Sequence, residues 1–271
     1  MRAALLLLLG LCLAGCTGAQ GHPKGAVVAS FYPLAWAAEQ VLPSSERVVD
    51  LTPPGVEPHD VELSPSDVET IQDARLVVYL GGGFQPAVED AVGTRNGPSV
   101  DLLEGDDDPH IWLDPIRFAR ALRLLARGAG GDASADAGVG ELRRLDAEYW
   151  RGLARCDRHV IVTSHAAFGQ LARRYGLTQL SLAGRSPESE PGPRELEELI
   201  RNVRESGATT VFAEPLVPHA VVDTIAREAD AKVAILDPIE GLSEARLAAG
   251  EDYLSVMRDN LTALRRALGC R

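Results

Sequence analysis

Lysine is nearly absent from this chain. Of its 27 basic residues only Lys24 and Lys232 are lysine, and the rest are arginine. That choice reads as a coding bias towards GC-rich codons rather than as chemistry. Basic charge as a whole is in deficit. Against those 27 residues stand 39 acidic ones, a formal net charge of −12 and an isoelectric point near 5.0. Such a surface repels phosphate backbones, so nucleic acid is not an expected partner and cations suit it better. Beyond residue 15 no apolar run is long enough to span a membrane. The His-Glu-x-x-His string of many zinc hydrolases is missing. Gly81-Gly82-Gly83 has neither a Gly-x-Gly-x-x-Gly context nor a phosphate-loop lysine, which argues against nucleotide binding. What remains is 271 residues, 45% hydrophobic and 24% charged. Those proportions describe an ordinary globular chain, with room for one large domain or two of roughly 100–130 residues.

The N-terminus has the form of a targeting segment. Arg2 supplies a positive start, and residues 3–11 form an apolar run too short for a stable bilayer anchor. The run ends in Leu13-Ala14-Gly15-Cys16, which resembles a bacterial lipobox, where the signal is cut before a cysteine that is then lipidated. The mature protein is therefore expected outside the cytoplasmic membrane, tethered by lipid at Cys16. Four cysteines fit that address: Cys12 leaves with the signal, Cys16 becomes the anchor, and Cys156 and Cys270 remain. An even pair in an oxidising compartment predicts a disulfide stapling the C-terminal tail to the second half. Two buried free thiols are the alternative.

Strand and helix patterns alternate along the chain. Apolar runs at residues 26–30, 48–51 and 76–80 read as strands. Residues 33–41, 66–72 and 116–127 read as helices, the last with apolar spacing of three and four. Residues 128–140 are rich in Gly, Ala and Asp and mark a weak point. Helical periodicity resumes at 141–153. A second set then begins, with strands at 160–162, 180–182, 210–213 and 233–236. Helices at 167–175, 194–206, 220–228 and 253–268 lie among them. Alternation of this kind predicts parallel α/β sheets. The restart near residue 157 predicts two lobes, with a ligand site between them outside the carboxyl ends of the strands.

Six histidines are present: His22, His59, His110, His159, His165 and His219. His59 lies in Gly55-Val56-Glu57-Pro58-His59-Asp60, His110 in Asp108-Pro109-His110-Ile111-Trp112, and His165 in Thr163-Ser164-His165-Ala166. Asp237, in Leu236-Asp237-Pro238, occupies a comparable strand end. Three imidazoles and one carboxylate form a reasonable tetrahedral set for Zn²⁺. Any one of these histidines alone is a weak signal. Together they are a strong one, because each sits in a distinctive Pro-containing string or at a strand end.

Those strings resemble the solute-binding lipoproteins of zinc and manganese ABC importers, the ZnuA/TroA-like family. The matching pieces are Ser30-Phe31-Tyr32-Pro33-Leu34, Pro53-Pro54-Gly55-Val56-Glu57-Pro58-His59-Asp60 and Asp108-Pro109-His110-Ile111-Trp112-Leu113-Asp114-Pro115. Ser164-His165-Ala166-Ala167-Phe168-Gly169, Ser186-Pro187-Glu188-Ser189-Glu190-Pro191, Phe212-Ala213-Glu214-Pro215, Leu236-Asp237-Pro238 and Gly250-Glu251-Asp252-Tyr253-Leu254 follow, with Met257 in the last helix. The resemblance runs from about residue 26 to 270. It implies an α/β fold of two lobes, each with a mostly parallel sheet flanked by helices, joined by a long linking helix, with metal clamped in the cleft. It implies residues 1–15 as signal, 16–25 as tether, 26–128 and 157–271 as lobes, and 129–156 as the linking region.

By the same resemblance His59, His110 and His165 are ligands and Asp237 is the fourth. Zinc receptors of the family tend to carry His at the third position and manganese receptors Glu; His165 points to Zn²⁺, and a third imidazole favours it over the harder Mn²⁺. The implied role is extracytoplasmic capture of Zn²⁺ for an ABC permease, by a monomer that a zinc metallochaperone could load. A manganese receptor and a zinc hydrolase are the alternatives. Four protein ligands leave a hydrolase no open position. Imidazoles with ordinary pKa values near 6.5 predict binding that weakens below about pH 6.

Two features depart from the family. The acidic loop before the second ligand is short, Glu104-Gly105-Asp106-Asp107-Asp108, and has no His, so it reads as a solvated turn. Gly138 and Gly140 weaken a helix by roughly 1 kcal/mol each, so the linking helix is expected to begin late, near Glu141. Glu57 reads as a rim residue, held from the site by Pro58. Glu214 is either an orienting partner of a histidine N–H or a turn residue before the next helix.

Overall fold

A computed structural model describes residues 25–105, 107–131, 135–185 and 192–271. The signal at 1–15, Cys16, His22 and the string at 186–191 lie outside the described residues.

Short apolar runs form the sheet centres because strands covered on both faces need side chains that tolerate full burial. In the first lobe these are β1 (Val27–Ala29), β2 (Val48–Asp50), β3 (Leu76–Tyr79) and β4 (Ser99–Asp101), in the order β2-β1-β3-β4. All pair in parallel, with Val27 facing both Val48 and Leu76. The helices α1 (Tyr32–Val41), α2 (Pro65–Asp73), α3 (Pro86–Gly93) and α4 (Pro115–Ala129) cover the sheet. The second lobe repeats the plan. It has β5 (Val160–Thr163), β6 (Thr178–Ser181), β7 (Thr210–Ala213) and β8 (Lys232–Ile235), in the parallel order β6-β5-β7-β8. Its helices are α6 (Gly169–Tyr175), α7 (Pro193–Ser206), α8 (Ala220–Glu228), the short α9 (Glu244–Ala248) and α10 (Tyr253–Leu268).

Between the lobes runs α5 (Asp136–Leu153). It begins five residues before the expected start, so the late-start expectation is corrected. Gly138 is buried, and a Cβ there would come within 2.7 Å of Leu122 Cδ2 and 3.0 Å of Gln40 Cβ. Glycine is what allows α5 to lie this close to α4 and α1, and that packing outweighs its propensity cost. Three elements escaped the sequence reading: α3, α9 and β4. The last is a half-buried Ser-Val-Asp with no apolar run to betray it.

One continuous apolar core links the lobes. It runs from Val27 and Phe31 through Trp112 and Phe118 to Phe212, Leu236 and Tyr253. Although α10 follows the second sheet in sequence, it packs back on the first lobe: the Tyr253 ring lies 4.6 Å from Trp36 and 5.1 Å from Phe118. Its hydroxyl donates to the Trp112 carbonyl at 2.5 Å. At the other end of α10, Cys270 is joined to Cys156, 114 residues earlier in the chain. Backbone hydrogen bonds from Arg158 to Leu268 and from Arg271 to Arg155 flank that link.

Because every strand is parallel, the loops that leave their carboxyl ends gather on one edge of each sheet. Those loops, after β2, β4, β5 and β8, carry the residues of the next section.

Candidate metal centre

His59 lies in a single 3-10 turn (Pro58–Asp60) after β2, and His110 precedes another (Ile111–Leu113) after β4. In the second lobe His165 follows β5 directly. The proline before each first-lobe histidine sets a tight turn instead of a longer helix. The structure brings all three imidazoles to one point. Their Nε2 atoms lie 3.3, 3.4 and 3.3 Å from a single oxygen, Oε1 of Glu240. The four candidate ligand atoms are all within 4.8 Å of one another. His110 and His165 are fully buried, and their Nε2 atoms have no hydrogen-bond partner. Buried polar atoms left unpaired are rare in proteins and mark a place where something else binds.

A tetrahedron with metal–ligand bonds of about 2.0–2.1 Å has edges of roughly 3.3–3.4 Å. Three of the six edges, the Nε2–Oε1 separations, fall there, and the other three stay within 4.8 Å, so the donor set suits a zinc-sized ion. Three neutral imidazoles with one carboxylate is also a donor set that zinc accepts readily and manganese less so.

The fourth position corrects the sequence reading. Asp237 is buried but spent elsewhere: its Oδ2 accepts from Arg246 Nη1 at 2.5 Å and its Oδ1 from the Ile239 N–H at 2.7 Å. That second bond closes a turn in which Ile239 takes a left-handed φ of 58°, and the turn presents Glu240 to the cleft. A second acid three residues after Asp237, followed by a glycine, was the available signal for Glu240. The more conspicuous Asp-Pro string concealed it.

Each histidine is held from behind by a carboxylate. Glu214 Oε2 is 2.6 Å from His165 Nδ1, and its Oε1 accepts the His165 backbone N–H at 3.1 Å. Asp108 Oδ1 does both for His110, at 3.0 Å from Nδ1 and 3.2 Å from the backbone nitrogen. Glu57 accepts the His59 N–H at 3.3 Å. The ring contacts of His165 and His110 fix ring orientation and raise ligand basicity, and the Glu57 contact steadies the backbone of His59. Of the two readings of Glu214, the geometry matches the orienting partner. The acidic turn expected to be solvated instead sends Asp108 inward to this task. Phe84 and Trp112 wall the site, 4.5 Å from the His59 ring and 5.2 Å from the His110 ring. The other two histidines among the described residues lie elsewhere: His159 is exposed before β5, and His219 Nε2 lies 2.8 Å from the Glu214 carbonyl.

Charges in the metal-free site follow from these contacts. Burial opposes a charged His165, yet the neighbouring carboxylates of Glu214 and Glu240 raise its pKa to about 10. His110 is raised for the same reason by Asp108 and Glu240, against burial. Glu240 is fully buried, but the three imidazoles hold its carboxyl well below the usual range. Glu57 is pushed up to about 8, first by burial and then by the nearby Glu240 charge. His110 and His165 therefore hold protons more firmly than free imidazoles do, and a cation has to displace them.

Two parallel sheets whose loops converge on a largely buried His₃Glu cluster define a two-lobed α/β protein with a cleft built for one divalent cation. The chain belongs to the ZnuA family, described as zinc-uptake complex component A, periplasmic, which it matches over residues 27–267. It is 30% identical to the high-affinity zinc uptake system protein ZnuA of Bacillus subtilis, over 98% of this chain and 95% of that one. It is 32% identical to the zinc-binding lipoprotein AdcA of Streptococcus pneumoniae, over 98% of this chain. The chain spans only 56 to 61% of the length of the streptococcal AdcA proteins. The Zn(II)-bound ZnuA-like domain of Streptococcus pneumoniae AdcA superimposes with a TM-score of 0.78 at 31% identity, covering 91% of this chain and 99% of that domain. Among the described residues no helix is long and apolar enough to cross a membrane.

Proposed function

We propose that this chain is an extracytoplasmic receptor that captures Zn²⁺ on His59, His110, His165 and Glu240 and delivers it to an ABC-type permease. The observation that carries the reading is the set of three Nε2 atoms spaced around Glu240 Oε1 at the edge lengths of a zinc tetrahedron. Zinc is cargo here, and four protein donors leave it no open position for hydrolytic water, so the reading is of a binding protein and not of an enzyme. The zinc-binding names of the relatives, and the zinc-bound neighbour, support the same cargo.

The test is metal analysis with competitive titration of the purified protein. One Zn²⁺ bound in preference to Mn²⁺ is expected; equal or tighter Mn²⁺ binding overturns the assignment. His165→Ala lowers zinc affinity by orders of magnitude, and His165→Glu narrows the preference over Mn²⁺, because a carboxylate suits the harder ion. We propose further that Cys16 carries a lipid anchor, consistent with relatives named as lipoproteins. Cys16→Ser is expected to release the protein from the membrane fraction.

A further inference from the structure

His110 is tied to the outside of the molecule through two residues. Its carboxylate partner Asp108 belongs to the first lobe but is gripped by the second. Arg173 Nη2 on α6 donates to Asp108 Oδ2 at 3.2 Å, and Gln170 Nε2 donates to the Asp108 carbonyl at 3.3 Å. Gly169 makes room for the contact: a Cβ there would sit 3.0 Å from Asp108 Oδ2. Exposure falls steeply along the line. The side chain of Arg173 is 63% exposed, that of Asp108 11% and that of His110 0%. A solvent-facing arginine of one lobe thus reaches a buried metal-facing imidazole of the other through a single carboxylate.

Arg173 stands in a recess that Asp107, Asp108, Gln179, Ser181 and Arg185 also line. Gln179 donates to the carbonyl of His165 at 2.9 Å, so the recess touches the loops of two of the three histidines. Arg185 brings a second guanidinium to the recess, opposite the carboxylates of Asp107 and Asp108. A carboxylate-bearing partner entering the recess meets Arg173 and Arg185, and Arg173 is the cation that would have to choose between it and Asp108.

We propose that Arg173, Asp108 and His110 form a release relay, worked by an acidic segment of a docking partner. With Arg173 on Asp108, the His110 ring is held with Nε2 towards the metal. A partner carboxylate that takes Arg173 removes one of the holds on the Asp108 carboxylate, loosens His110 and shortens the residence of the ion. Arg173 and Asp108 are positioning residues in this scheme and touch no metal. The inference rests on the zinc-receptor reading above; zinc stoichiometry of the unsubstituted protein tests that reading, and release rates test the relay.

The experiment measures zinc dissociation by rapid mixing with excess chelator, using the whole mature chain. Loss of an orienting partner costs about 10–100-fold in metal affinity. Arg173→Gln and Asp108→Asn are therefore each expected to speed release by about tenfold or more. The double variant is expected to release little faster than Asp108→Asn alone, because both act on one contact, and Arg173→Lys is expected to restore slow release in part. A short polyglutamate peptide speeds release from the unsubstituted protein and not from Arg173→Gln. The Co²⁺ absorption spectrum shifts in Asp108→Asn, a change that simple loss of stability does not produce. Release from Arg173→Gln at the unsubstituted rate overturns the relay. Acceleration by the peptide that is absent, or equal in both proteins, overturns the part played by an acidic partner.

Discussion

Glu214 holds His165 at two points, through the ring Nδ1 at 2.6 Å and through the backbone N–H at 3.1 Å. The first contact turns Nε2 to the cleft, where it offers its lone pair to a metal that displaces the proton. The second fixes the backbone at the end of β5, so ring and loop cannot turn independently. Glu214→Gln keeps the size and one acceptor but loses the charge that raises ligand basicity. Zinc affinity is expected to fall about 10–100-fold while the protein stays folded. Competitive titration against a chromogenic chelator checks it, and an unchanged affinity would show that Glu214 does not tune the site.

The two carboxylates of the loop after β8 are expected to part company on substitution. Glu240→Gln removes the carboxylate oxygen that lies 3.3–3.4 Å from all three Nε2 atoms, and zinc affinity should fall by orders of magnitude. Asp237→Asn breaks a charged hydrogen bond to Arg246 and weakens the turn at Ile239. Charged hydrogen bonds of this kind are worth about 1.5–3 kcal/mol, so urea unfolding should shift by that order while one zinc still binds. The reverse pattern would restore Asp237 as the fourth ligand.

The contrast shows what a sequence makes legible. Strands such as Leu76–Tyr79 and Thr210–Ala213 announce themselves, because burial on both faces demands an unbroken apolar run. His59, His110 and His165 stood out because histidine is scarce and each marks the end of a strand or a Pro-bearing string. The structure gathers all three. Glu240 did not stand out, since which of two nearby acids faces the cleft depends on one left-handed residue, Ile239. Asp108 was hidden by its neighbours, as one member of an acidic run that reads as solvated. Gly138 misled in the opposite sense: its propensity cost is local, but its benefit comes from Leu122 and Gln40, which are distant in sequence.

Zinc binding is expected to release protons well above the pH at which free imidazoles titrate. Glu214 and Glu240 raise His165 to about 10 in the metal-free cleft, against burial, so the imidazole is charged at pH 7.5. The metal needs that nitrogen neutral, and each bound ion displaces the proton. Apparent affinity therefore keeps rising with pH beyond 7 and falls as the solution is acidified, instead of levelling off above about pH 6.5. Calorimetry at pH 7.5 in buffers of different ionisation enthalpy should report at least about one proton released per zinc. No buffer dependence would refute it.

Asp50 predicts a pH dependence of folding. It ends β2, with Oδ1 accepting the Thr52 N–H at 3.0 Å, and burial pushes its carboxyl up to about 7. Its folded pKa thus exceeds its unfolded one. Between about pH 4 and 7 the native state binds more protons than the unfolded state, so this contribution to stability is present at low pH and is lost as pH rises through 7. The loss is on the order of 2–4 kcal/mol. Asp50→Asn should flatten that part of the stability–pH curve, as followed by urea unfolding of the metal-free protein at several pH values. A curve of unchanged slope would mean that Asp50 ionises normally in the folded chain.

The link between Cys156 and Cys270 is expected to govern stability without touching the site. It closes a loop of 114 residues that contains the whole second sheet, so its main effect is to restrict the unfolded chain. A loop of that order is worth up to about 5 kcal/mol in the chain-entropy account. Cysteine 156 precedes β5, and His165 lies beyond its far end, so the length of the strand, roughly 13 Å at 3.3 Å per residue, separates the link from the nearest ligand. Native protein denatured without reductant should show no thiol reactive to labelling. Reduction, or Cys156→Ala with Cys270→Ala, should lower the denaturant midpoint by several kcal/mol equivalent. Zinc affinity of the protein that remains folded should stay within about threefold, since none of the four donors moves. Two labelled thiols in the native protein would remove the link, and a large loss of zinc affinity on reduction would mean that the staple holds the cleft itself.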